Sequence, residues 1–337
     1  MNRIAVKVLA LIISSLVVAG CSATPQASQL RNTIPQSATG SLPSMFETSG
    51  APSVTSPAVI AVNNNLGALE YWPMRSGGDN IPIRISKKGL FIGAGLVANG
   101  RVVSFGNQDP AEVVQFNVDT KALTTLPDPY GTPIDIAIGK DNSLYVLNLV
   151  RSNPANVAWY PGGAPNPKEL ACSALDYGSN VAVDNEGNLY VGGYIGQDTA
   201  GIIKFPNGPN GPDPSQCKTL DLGLGSAYMD GVVVDPKTDD LVTLTNPDLC
   251  AGGVEGLMTI FPKPYRRETG RSHVVGHNCS FGLRLSADSK KVFVLDESVD
   301  GGTSYVLQRS FPDGVPEGTY HGGQPTSITT IPNALPN

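Results

Sequence analysis

Six aromatic residues recur along the chain at a nearly fixed interval, and that repeat limits the fold more than any other feature. Trp72, Phe116, Tyr160, Phe205, Phe261 and Phe311 are separated by 44, 44, 45, 56 and 50 residues. Each closes a short β-rich run, and all but Phe116, which precedes Asn117, are followed by Pro. A period of about 40–50 residues built from strands is that of a four-stranded propeller blade. Proline is tolerated just past such a run because the strand ends there and no ladder donor is lost.

A second motif lies between the aromatics. Residues 134–146, 179–191, 230–242 and 281–293 each read as strand, polar turn, strand, and 95–103 is a shorter copy. The turns carry Asp, Asn, Gly or Pro, which supply tight backbone geometry and local side-chain hydrogen bonds. The order within a blade is therefore inner strand, polar turn, second strand, long loop, third strand ending at the aromatic, then outer strand. In the first copy the order is displaced. Residues 58–62 match a second strand, and 326–331 stand where one more inner strand is due. The expected fold is all-β: a six-bladed β-propeller of four-stranded antiparallel blades, its ring closed by the C-terminal strand. Such closure pairs both free edges. The 38 glycines, the 28 prolines and a charged fraction of only 15% fit many short strands and tight turns rather than amphipathic helices.

Residues 180–191 resemble the repeat of NHL-type propellers. That superfamily also holds gluconolactonase-like proteins, strictosidine-synthase-like proteins and virginiamycin B lyase. The resemblance implies the six-bladed fold and leaves function open, because propellers host binding, scaffolding and catalysis alike.

The amino terminus gives an address. After Arg3 and Lys7, an apolar run from 8 to 19 is interrupted only by Ser14 and Ser15. It suits a signal peptide and is short for a spanning helix, which needs about 20 apolar residues. Residues 16–21 (LVVAGC) resemble the lipobox of bacterial lipoproteins. The resemblance implies cleavage before Cys21 and lipidation of its thiol, with fatty acyl chains such as palmitate. Each buried CH₂ adds roughly 0.8 kcal/mol, so several chains anchor far more firmly than one. Ser22 after the cysteine implies the outer membrane if the cell is Gram-negative. The expected domains are a signal peptide (1–20), the lipidated cysteine with a flexible Ser/Thr/Pro-rich tether (21–55), and the propeller (56–337). The expected location is the cell envelope, with the membrane as partner through Cys21.

The net charge of −6 loses two positive charges with Arg3 and Lys7, leaving a mildly acidic body that argues against nucleic-acid binding. Besides Cys21 there are Cys172, Cys217, Cys250 and Cys279, and an even number in an exported domain points to two disulfides. Cys250 and Cys279 fall in loops on one face, so they are expected to pair. Cys172 and Cys217 each lie twelve residues after their blade's aromatic, in equivalent positions of neighbouring blades. By elimination they are expected to pair with each other, which requires their Cα atoms to come within about 7 Å. There is no CxxC or HExxH.

Inner strands converge on a propeller's axis, so the polar residues at their starts, Asp135, Ser179, Asn180 and Asp230, are the candidate ligand-binding set. Two carboxylates and an amide could share one weakly bound divalent cation, although calcium takes 6–8 oxygens. No other cofactor is expected. The alternative is that these residues cap strand ends and hold channel water. His273, His277 and His321 lie apart from this set, in late loops or outer strands. Lys263, Arg266, Arg267, Arg271 and His273 form a basic cluster after the fifth blade's third strand, either a solvated loop or a patch for an anionic partner. Two function classes remain. One is a monomeric envelope module that binds or scaffolds an unknown small molecule or protein. The other is a propeller hydrolase, lactonase-like, or a lyase acting on a small exported substrate at the axial mouth.

Overall fold

Strand pairing resolves the repeat into six blades of four antiparallel strands each, the sixth sheet carrying one further short strand at its edge. The computed structural model describes residues 57–331 except 64–67, 75–76, 80, 84–91, 150–154, 196–198, 226, 247–254, 278, 298–303 and 322–324. The expected signal peptide, tether, Cys21 and Cys250 lie outside the described residues. From inside outward, blade 1 is Pro325–Ile331, Ala58–Asn63, Ala68–Pro73 and Ile81–Ile83. Blade 2 is Ile92–Asn99, Val102–Gln108, Ala111–Asn117 and Leu123–Pro127. Blade 3 is Thr132–Ile138, Leu144–Leu149, Asn156–Tyr160 and Lys168–Ala171. Blade 4 is Tyr177–Val183, Leu189–Tyr194, Ala200–Phe205 and Lys218–Leu220. Blade 5 is Tyr228–Val234, Leu241–Asn246, Leu257–Phe261 and Arg271–Val274. Blade 6 is Cys279–Leu285, Lys291–Glu297, Ser304–Ser310 and Pro316–His321.

The ring closes as the displaced first copy implied. The C-terminal strand pairs antiparallel with Ala58–Asn63, from Ala58 opposite Ile331 to Asn63 opposite Pro325. A second tie crosses the same junction. Gly77–Asp79, between the third and outer strands of blade 1, pairs parallel with the outer strand of blade 6. The Trp72 indole N–H donates to the His321 carbonyl at 3.0 Å.

The repeated aromatic is explained by packing. The buried apolar residues fall into six clusters, one between each pair of neighbouring blades. In every cluster the aromatic of one blade packs against the blade before it. Trp72, Phe116, Tyr160, Phe205 and Phe261 are buried there, and Phe311 is partly buried. Each large ring buries roughly 150–250 Å², worth about 4 kcal/mol or more at 25 cal/mol per Å². The polar turns satisfy their own backbone. The Asp184 carboxylate accepts from the Glu186 and Asn188 amide N–H groups at 2.9 and 2.8 Å and from the Tyr190 hydroxyl at 2.8 Å. Gly187 provides the left-handed step of that turn at φ 81°. The oxygen-rich stretch 184–188 is thus a hairpin turn.

Each inner strand is broken by a β-bulge near its start. The extra residue is Thr326, Ile134, Ser179, Asp230 and Gly282 in blades 1, 3, 4, 5 and 6, and the irregularity in blade 2 surrounds Gly95. Bulges sharpen the twist and re-aim side chains, and here they do so at the mouth of the axial channel. Gly95 also lets blades 2 and 3 touch, since a Cβ there would lie 2.5 Å from the Asp135 Cα.

Candidate site at the channel mouth

Asp135, on the inner strand of blade 3, is only 4% exposed. Its Oδ2 accepts the Val181 amide N–H of blade 4 at 2.9 Å. Its Oδ1 lies 3.0 Å from Nη2 of Arg284, on the inner strand of blade 6. Blades 3 and 6 stand opposite each other in a ring of six, so this ion pair crosses the axis. The Arg284 guanidinium also donates to the Leu283 carbonyl at 2.8 Å and reaches toward the Leu96 carbonyl of blade 2 at 3.5 Å. One pair therefore ties four blades together across the axis.

On the turn side of the ion pair remains a cavity of about 80 Å³, walled by Val97, Ile136, Ala182, Val233 and Leu285 and bounded by Arg284. A water takes about 30 Å³, so this space suits a few waters, whereas pockets for larger organic ligands run to roughly 300–1,000 Å³. None of Asp135, Ser179, Asn180 and Asp230 lines it.

The other three candidates sit at the mouth. Ser179 donates its hydroxyl to the Gly192 carbonyl at 3.2 Å. Asn180 is half-buried, and its Oδ1 is buried without a hydrogen-bond partner. Asp230 keeps partial solvent contact, yet the chain crowded around it desolvates the carboxyl and pushes it up to about 6; a hydrogen bond from Asn246 opposes the rise. That amide, on the second strand of blade 5, donates to Asp230 Oδ2 and to the Ser280 carbonyl, both at 2.5 Å. The four residues share a region but not one ligand shell, because Asp135 is occupied by Arg284. Among the described residues no three His, Cys, Asp or Glu side chains form a metal-holding group.

Three features of the mouth were not picked out from the sequence. Arg284 is the first. It occupies the motif position held by Ala137, Ala182 and Val233 in the other full copies, and that mismatch was a usable signal. Asn246, the partner of Asp230, is the second. The third is a row of tyrosines: Tyr177 and Tyr194 from blade 4 at 6.1 Å between ring centres, and Tyr194 and Tyr228 of blade 5 at 6.0 Å. Tyr177 and Tyr228 are half-buried, and Tyr194 is buried. Alternation within single strands does not show such a row, because it spans two blades.

Away from the mouth, the basic cluster is partly neutralised. Lys263 lies 3.1 Å from Glu186 and 3.0 Å from Asp239, while Arg266 is 3.9 Å from Glu268. His277 meets the buried Arg309 guanidinium at 2.9 Å, and Ser280 donates to Asp296 at 2.6 Å. Cys172 and Cys217 form a disulfide with their Cα atoms 6.1 Å apart, so equivalent positions of neighbouring blades do come within reach. Cys279 is also disulfide-bonded, and its expected partner Cys250 lies outside the described residues.

A family model described as Beta-propeller repeat matches residues 173–197, the stretch that enters blade 4 and runs through its first two strands. No curated protein matches the chain. A chain from the crystal structure of a nidogen/laminin complex superposes with a TM-score of 0.61 at 15% identity, covering 83% of this chain and 99% of that one. A functionally unknown protein from Desulfotomaculum acetoxidans DSM 771 superposes with a TM-score of 0.50 at 13% identity, covering 80% and 81%. Likeness at these identities is one of fold alone. The protein is thus an all-β, six-bladed propeller, an architecture suited to binding or scaffolding.

Proposed function

We propose that this protein is a lipid-anchored envelope lipoprotein whose NHL-type propeller is a binding or scaffolding module, with the mouth face as its working surface. The observation that carries the reading is the Asp135–Arg284 pair. It commits one of the two mouth carboxylates to structure, and the cavity beneath it, about 80 Å³, is small for an organic ligand. Recognition then falls to the loops and strand starts around Ser179, Asn180 and Asp230. Anchoring through Cys21 and a tether of 34 residues, 22–55, which spans roughly 30–35 Å, would hold the domain clear of the headgroups. The second expected disulfide, Cys250 with Cys279, would brace the same face.

Two experiments on the full chain test this. Metabolic labelling with a fatty acid should mark the wild type and not Cys21→Ser; equal labelling would remove the anchor. A photo-cross-linking amino acid placed at Ser173 or Glu255 on the mouth face should give discrete adducts in cells, read by mass so that small molecules and proteins both register. The same probe at Lys140 or Glu186 on the turn face should give none. Adducts only from the turn face, or none from either, would overturn the reading.

A further inference from the structure

We propose that the mouth between blades 4 and 5 binds a small organic ammonium ion, held by the tyrosine row Tyr177–Tyr194–Tyr228 and the Asp230 carboxylate. The inference rests on the mouth-face reading and names its ligand class. Aromatic ring faces carry a negative quadrupole and attract a cation placed within about 6 Å of the ring centre. Tyr228 and Asp230 belong to the same inner-strand start and both adjoin Asn246: Tyr228 is its register partner, and Asp230 accepts its amide. Tyr194 meets Tyr228 from the neighbouring blade and carries the aromatic surface on to Tyr177. The row therefore ends beside a carboxylate.

Among the described residues that carboxylate has no counter-charge. Asp135 has Arg284, Asp119 has Arg101, Glu186 and Asp239 share Lys263, and Glu317 has Lys291. Asp230 has only the Asn246 amide, its Oδ1 makes no hydrogen bond among the described residues, and no Lys, Arg or His among them pairs with it. Removing a charge from water without a partner is costly, and the raised carboxyl records that cost here. A docked ammonium supplies the missing charge while its alkyl groups lie on the tyrosines. An anion would be repelled by Asp230. A bare metal ion would find one carboxylate and at most the two amide oxygens of Asn180 and Asn246 where calcium wants 6–8 ligands. A neutral ligand would leave the carboxylate uncompensated.

Calorimetric titration of the full-length lipoprotein in maltoside micelles with choline tests the site, with the uncharged isostere dimethylbutanol as control. The expected result is saturable choline binding, about tenfold or more weaker in Asp230→Asn and in Tyr228→Leu, since loss of the charge or of a ring face removes the main attraction. Tyr228→Phe keeps the ring face and should keep the affinity. Each variant is compared only if its thermal melt matches the wild type, and Asp230→Asn is isosteric for that reason. Choline that gives no binding heat, an Asp230→Asn variant that binds as the wild type does, or equal binding of dimethylbutanol would overturn the proposal. Phosphocholine separates the sources of such a group. Weaker binding than choline supports a free ammonium solute, and equal binding supports a lipid headgroup. Mouth-face cross-links together with a silent choline titration would remove this inference alone and leave the binding-module reading in place.

Discussion

Arg284 stands where the other full motif copies carry Ala137, Ala182 and Val233, and its guanidinium fills the axis that those small side chains leave open. The pair it forms with Asp135 is well shielded, with side chains 13% and 5% exposed. Both charges have lost much of their hydration, and the remaining Asp135 lone pairs are met by the Val181 amide. Breaking such a pair from one side strands the other charge, at a cost of about 3–5 kcal/mol, whereas replacing both partners with neutral groups is often close to harmless. Asp135→Asn should therefore lower unfolding stability by about 3–5 kcal/mol in a urea titration. The double variant Asp135→Asn, Arg284→Met should recover most of that loss. Additive losses in the double variant would show that the two residues do not act as a pair.

At the scale of the element, the third strand of each blade is defined by where its last aromatic packs. Phe205 sits in the cluster between blades 3 and 4, beside the Cys172–Cys217 disulfide that joins the same two blades. Phe311 plays the same part between blades 5 and 6 but is only partly buried. Truncating a buried Phe to Ala removes its transfer free energy and leaves a cavity, typically about 3–5 kcal/mol. Phe205→Ala is expected to cost that much, and Phe311→Ala distinctly less, in the same urea titration. Equal losses at the two sites would mean that burial does not set their weight. The equivalence of these positions was legible from their spacing, because a repeating unit must present the same wedge to each neighbour. The role of the wedge, sealing each blade against the one before it, emerges only from the ring.

At the scale of the whole molecule, stability depends on closure. The C-terminal strand is the inner strand of blade 1 and packs against the inner strands of both blade 6 and blade 2. Its removal would leave Ala58–Asn63 with a bare edge at the axis and open the cluster to which Ile328 contributes. Deleting residues 324–337 should abolish the single cooperative thermal transition of the domain or move it far down, since every blade leans on a neighbour. A truncated chain that melts as the wild type does would show that the ring does not need this strand.

The repeat of aromatics, the strand–turn–strand motif and the displaced first copy determined the number of blades, their strand order and the closing strand. Those are properties of local pattern and chain order, which a sequence carries in full. The Cys172–Cys217 pairing was legible only by elimination; equivalent spacing left its reach open, and the ring answers it by placing the two positions side by side. The mouth was legible only as a place. Asp135, Ser179, Asn180 and Asp230 could be assigned to the inner-strand starts, but what each one touches could not. Arg284 lies 149 residues from Asp135 along the chain, and the tyrosine row joins two blades. Partnerships of that kind exist only after the ring has closed. The strand pattern chose which residues face the axis, and the closed ring decided which of them meet and that Asp230 has no counter-charge among the described residues.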